Sequence, residues 1–185
     1  MFGIKIENTV KYIYYFNHQN LLMKKISLMA SVLFMLFIIS SCSTSKVART
    51  YKKSVNGSWQ LQTITTEGIT GKIKAQVLDE ADFNCFVGSM WKFNQNNSLG
   101  SYTISKNGGE CVAVKRNIRW SIFEEGTTPK MLQYKKVDDK YKDMDEGKAG
   151  FRFTILRLDD TVMQLKSDIN FEGKPASFIY NFIRN

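Results

Sequence analysis

Short apolar alternations separated by turn signals recur through residues 57–185, and none of them lengthens into a 3.6-residue helical period. A period of two places successive side chains on opposite faces, which is the pattern of a strand with one buried face. Residues 57–63 alternate in this way. Trp91 and Phe93 then share a parity, as do Tyr102 and Ile104, and Ile118, Trp120 and Ile122. Leu132 and Tyr134 follow, then Phe151, Phe153 and Ile155, then Met163 and Leu165, then Phe178, Tyr180 and Phe182. The spacing predicts about eight strands. Side-chain volume for a core is ample, with 3 Trp, 8 Tyr and 13 Phe, and a disordered or Pro-rich chain is excluded by that content and by only 2 Pro.

The connectors alternate in length. Residues 94–100, 124–129 and 158–161 are short and turn-like, whereas 66–88, 106–115 and 138–148 are long; the hairpin at 171–175 is the short exception. In an up-and-down antiparallel arrangement, alternate connections lie at opposite ends. The expected fold is therefore an all-β, up-and-down antiparallel β-barrel of about eight strands, which has no free sheet edge. Its tight turns lie at the Gly57 end and its long loops at the other. Any mouth should face away from Gly57.

The N-terminus reads as an address. From Met23, Lys24 and Lys25 form a positive head, and residues 26–39 are apolar apart from Ser27 and Ser31. A bilayer-spanning helix needs about 20 apolar residues, so this run has the length of a secretory h-region. It ends at Ile39-Ser40-Ser41-Cys42, which resembles the bacterial lipobox. That resemblance implies cleavage before Cys42, a diacylglycerol thioether on its sulfur and an acyl group on the new amine; a plain transmembrane anchor is the alternative. Residues 1–22 are expected to be a mis-called start or a dispensable extension, 23–41 the lipoprotein signal peptide, 42–56 a lipidated flexible tether, and 57–185 the barrel. Residues 1–41 carry four lysines against Glu7, leaving +6 of the chain's +9 on the remainder. Lys46, Arg49, Lys52 and Lys53 follow the lipid site, as a solvated tether or as charges near anionic headgroups. The expected location is the bacterial cell envelope, most simply the outer membrane. Basic residues spread along an exported chain give no nucleic-acid footprint.

Residues 57–185 resemble the lipocalin-like lipoproteins of the bacterial cell envelope. Gly57-x-Trp59 matches the G-x-W that opens the first strand of lipocalins. Cys85-Phe-Val-Gly-Ser-Met-Trp-Lys-Phe-Asn, Gly100-Ser-Tyr102, Cys111 and Arg119-Trp120 resemble a recurring pattern of that envelope group. The resemblance implies a lipocalin-like fold and makes Arg184 the candidate for the arginine that lies over the first-strand Trp.

Few residues offer chemistry. His18, the single histidine, precedes the expected cleavage site, so His-based catalysis and His-ligated zinc have no donor in the mature chain. No nucleophile motif occurs, and no enzyme activity, cofactor or metal is expected. The carboxylates of residues 138–147 could hold calcium but read better as a solvated loop, since Lys140 and Lys142 interleave. Cys85 and Cys111 lie symmetrically about Ser98, in the 94–100 turn, and so face each other across the open end of a hairpin. In an oxidising compartment they are expected to form a disulfide. Trp91, Phe93, Tyr102, Trp120, Tyr134, Phe153 and Tyr180, with Phe182, share the inward parity. They are core first, and the mouthward ones are candidate ligand-binding residues. The expected function is non-catalytic binding of a small apolar or amphipathic ligand by a monomeric, lipid-anchored barrel. The alternative is a structural or partner-binding lipoprotein with a solid core.

Overall fold

The structure, a computed structural model, describes residues 45–71, 74–124, 130–144 and 150–185. The expected extension, signal peptide and lipidated Cys42 lie outside these residues, as do 125–129 and 145–149 of two loops. The described elements are α1 (Lys46–Val55), β1 (Gly57–Glu67), β2 (Gln76–Val77), β3 (Ala81–Asp82) and α2 (Phe83–Phe86). They continue as β4 (Met90–Asn94), β5 (Leu99–Ile104), β6 (Val114–Phe123), β7 (Met131–Val137), β8 (Phe151–Leu158), β9 (Val162–Phe171) and β10 (Lys174–Arg184).

Strands β1 and β4–β10 close into a barrel in the order β1-β10-β9-β8-β7-β6-β5-β4, and β2 and β3 form a separate two-stranded hairpin. Each of the eight expected runs lies in one of the barrel strands. All barrel pairs are antiparallel. Closure is made by β1, whose Trp59 stands opposite Trp91 of β4 on one side and Arg184 of β10 on the other. The register slips between Leu61 and Thr63 of β1 and between Ile155 and Arg157 of β8. Such bulges bend a strand and increase its twist, which helps a sheet to curl.

The parity read from the sequence is the parity of the core. Trp59, Leu61, Trp91, Phe93, Tyr102, Ile104, Ile118, Trp120, Leu132, Tyr134, Phe153, Met163, Leu165, Phe178, Tyr180 and Phe182 are all buried. The connections also sort as expected. The β4–β5 and β8–β9 turns lie at the Gly57 end, and the connections after β1, β5 and β7 lie at the opposite end.

The flexible tether expected over 42–56 is corrected: residues 46–55 form α1, which packs on the barrel. The Ser45 side chain caps it by accepting from the Ala48 N–H at 3.0 Å. Lys52 and Lys53 in its last turn complement the helix dipole. Ala48 and Val55, seven residues apart on one face, are buried against the barrel. The sequence hid this helix because two small apolar side chains give almost no periodic signal.

Arg184 joins the helix to the barrel ends. Its guanidinium lies 4.1 Å from the centroid of the Trp59 ring. Nη2 donates to the Ser54 carbonyl and Nη1 to the Asn56 carbonyl, each at 2.8 Å, and Nε to the Asp160 carbonyl at 2.6 Å. Trp59 donates its indole N–H to Val55 O at 2.8 Å. The G of the G-x-W is explained here. Gly57 has φ +124°, and a Cβ would stand 2.6 Å from Arg184 Nη1. Arg184→Ala removes a stacked cation and leaves partly buried carbonyls short of a donor, so it should cost about 3 kcal/mol. Urea unfolding followed by tryptophan fluorescence measures this; Arg184→Lys should restore less than half, since an ammonium cannot serve three carbonyls as a planar fork does.

Candidate functional site

The seven aromatics nominated from the sequence meet inside the barrel. Trp91 stacks on Tyr102 with centroids 4.8 Å apart and meets Tyr134 and Phe182 edge-on, each at 5.8 Å. Phe93 meets Trp120 at 5.2 Å, Tyr134 stacks on Phe153 at 5.9 Å, and Phe153 meets Tyr180 at 5.3 Å. Rings at these spacings are in mutual contact, so these side chains form a continuous aromatic core.

Towards the long-loop end the inward parity turns polar. Arg116 continues the 118–120 parity of β6, Lys136 the 132–134 parity of β7, and Ser167 the 163–165 parity of β9. The hydroxyls of Tyr102, Tyr134 and Tyr180 belong to the same zone. Tyr180 OH lies 3.4 Å from Ser167 Oγ.

The opening expected at this end is covered by the chain's own 74–88 segment. That connector carries Val77, Leu78, Cys85 and Phe86, all buried, so burial draws it onto the barrel. Phe86 of α2 lies over Tyr102 at 5.7 Å and Trp91 at 6.5 Å, and Phe83 meets Phe178 at 6.2 Å. Cys85 and Cys111 are disulfide-bonded, with Cα atoms 5.4 Å apart, and this ties α2 to the β5–β6 loop.

From the turn between β2 and β3, Glu80 reaches the polar zone. Arg116 grips it with a fork: Nη2 donates to Oε1 at 2.7 Å and Nε to Oε2 at 3.0 Å. Tyr102 OH donates to Oε2 at 2.9 Å, and Lys136 Nζ lies 3.2 Å from the same oxygen. Only 11 % of the Glu80 side chain and 8 % of the Lys136 side chain are exposed. Burial by itself would raise the Glu80 pKa, but the hydrogen bonds from Arg116, Tyr102 and Lys136 hold it down at about 2. Burial pushes the Tyr102 hydroxyl up, and its bond to Glu80 pushes it further. Burial likewise takes Tyr180 up to about 12 and Tyr134 well above its ordinary value. The Tyr134 hydroxyl is fully enclosed and has no hydrogen-bond partner among the described residues.

Glu80, Arg116 and Lys136 were not among the residues nominated from the sequence. Arg116 and Lys136 were detectable, because a charged residue on an otherwise inward parity is a signal in itself. Glu80 was not, since its partners lie 22 or more residues away and no local pattern marks it. A depression of about 720 Å³ is lined among others by Arg119, Ser121, Gln133, Lys135 and Arg152. It uses the outward parity, which a strand reading assigns to solvent. Of the acidic loop, Asp143 pairs with Arg119 at 2.9 Å and Lys135 at 3.3 Å, and Asp138 Oδ1 accepts the N–H groups of Lys140 and Lys142.

Because the Glu80 carboxylate is held below its ordinary pKa of 4.5, its contribution is present above pH 4.5 and lost as pH falls towards about 2. The contribution is on the order of 3 kcal/mol. The difference in unfolding free energy between wild type and Glu80→Gln should therefore be largest at neutral pH and shrink between pH 4.5 and 2. Urea titrations at a series of pH values measure it.

A model described as lipocalin-like domain matches residues 55–165, more than half of the chain. Comparison with curated proteins and with solved structures yields no match.

Proposed function

Because the chain belongs to the lipocalin-like domain family, we propose that it is a non-catalytic binding protein that takes one small amphipathic molecule at the long-loop end of its barrel. It works in the bacterial cell envelope, most simply at the outer membrane, anchored by acyl groups on Cys42. The observation that carries the binding reading is the Tyr134 hydroxyl. A buried hydroxyl without a partner costs roughly 1–3 kcal/mol, and a purely structural core would use Phe there. A ligand with a polar atom at this depth supplies the missing partner, while its apolar part lies against the surrounding rings. Ser-rich sequence around Cys42, the Lys24-Lys25 head and the apolar run support the anchor. Multiple acyl chains hold a protein to a bilayer far better than one.

The ring contacts favour a second reading, in which the core is solid and the protein acts through its outer surface on a protein partner. Native mass spectrometry of protein purified from its own membrane separates the two. The binding reading expects a co-purifying small molecule that is lost in Tyr134→Phe, with the emptied variant about 1 kcal/mol more stable than emptied wild type. Wild type that carries no small molecule when freshly isolated sides with the solid barrel. For the anchor, Cys42→Ala should take up no radiolabelled fatty acid; label in that variant would overturn lipidation at this residue.

A further inference from the structure

We infer that the Glu80 carboxylate is a tethered stand-in for the ligand's own head group, so that the molecule bound here is an amphiphile bearing a single carboxylate. The inference rests on the binding function proposed above and names the class of ligand.

Arg116, Lys136 and the Tyr102 hydroxyl converge on one carboxylate inside the barrel. Two of these three groups are cations, set on inward-facing positions of β6 and β7, so the barrel wall itself holds the anion site. The anion that fills it comes from outside the wall. Asp79, the neighbouring acid, is exposed, and it is its backbone carbonyl that accepts from Lys136, at 3.1 Å. The Arg116 fork spans both Glu80 oxygens, which is the geometry that a planar carboxylate fits.

The segment bearing Glu80 is held by the buried Val77 and Leu78 and by its ionic contacts, and has little strand pairing of its own. Strands β2 and β3 have two residues each. The turn between them holds Leu78 at φ +58° and Asp79 at φ +47°, left-handed conformations that cost an L-residue on the order of 1 kcal/mol each. Isolated hairpins of this size have little stability of their own. The neighbouring α2 is fixed, because the disulfide pins Cys85 and Gly88 N–H donates to Leu61 O at 2.7 Å. The hairpin is therefore the part that can leave.

Its departure would strip Arg116, one-third exposed, and the buried Lys136 of their counter-ion. A ligand with its own anion restores that pairing. The same movement withdraws the buried side chains of Val77 and Leu78, leaving apolar space for a hydrocarbon tail. Tyr134 OH supplies a donor that Glu80 does not use.

The test is isothermal titration calorimetry of the full-length protein in lipid nanodiscs, with empty nanodiscs as the blank and decanoate, decanol and decylamine as probes. Wild type should bind decanoate at least 10-fold more tightly than decanol or decylamine. Glu80→Gln, which weakens the internal competitor, should tighten decanoate about 10-fold, and Arg116→Gln should abolish the preference for decanoate over decanol. Should either variant prove unfolded by near-ultraviolet circular dichroism, the wild-type ratio of decanoate to decanol decides. Equal binding of decanoate and decanol by wild type overturns the carboxylate assignment while leaving an amphiphile-binding barrel in place. Binding of none of the three overturns both.

Discussion

The stack of Arg184 on Trp59 is the contact on which the rest of the barrel depends. A sheet becomes a barrel only if its first strand pairs with both neighbours, and β1 does so through a short overlap with β4, residues 57–60 against 90–93. Trp59 sits in that overlap, opposite Trp91 and Arg184 at once. The guanidinium covers the ring and binds carbonyls from the end of α1, from the residue before β1 and from the β8–β9 turn. One side chain thus ties the helix, the first strand, the last strand and a turn. Gly57 is part of the same device, since any side chain there would meet the guanidinium.

From this closed end the interior grades towards the other. Near Gly57 the inward positions are apolar, and α1 covers them with Ala48 and Val55. Midway the aromatic rings fill the lumen. At the far end the same parity delivers Arg116, Lys136 and Ser167, and the hydroxyls of three tyrosines lie in that zone. The two ends are closed by different physics. One cover is a capped helix of ten residues held by an arginine fork, while the other is a short hairpin, Gln76–Asp82, held by the buried Val77 and Leu78 and by the bonds that Arg116, Lys136 and Tyr102 make to Glu80.

The legible part of this molecule was what repeats with period two. Eight strands, their inward residues and the sorting of turns to one end follow from alternation alone, because a one-residue slip would expose every ring. The Cys85–Cys111 bond was expected from symmetry about Ser98 and is formed, although β4 and β5 pair about residues 96 and 97 and Cys85 reaches its partner from α2. Helix α1 did not, having only Ala48 and Val55 as its buried stripe. The β2–β3 hairpin did not either, since two residues per strand cannot display a period. The Glu80 cluster is assembled from β6, β7 and a loop, so only Arg116 and Lys136 leave a trace in the sequence, as charges where apolar residues were due.

Under the proposed binding reading, those two charges bear on function as well as on stability. Transferring cations and a carboxylate into a barrel costs several kcal/mol per ion, and apolar residues of similar volume commonly serve a core as well or better. The remainder of this lumen is filled by apolar and aromatic side chains. Among the described residues the ionic group of the lumen sits in one place, under the β2–β3 hairpin and beside a hydroxyl that has no partner there. A core built only for stability accounts for none of these three coincidences. The proposed ligand, with one charged end and one apolar end, would account for all of them, since a polar, cationic rim lies next to a packed aromatic core in that order.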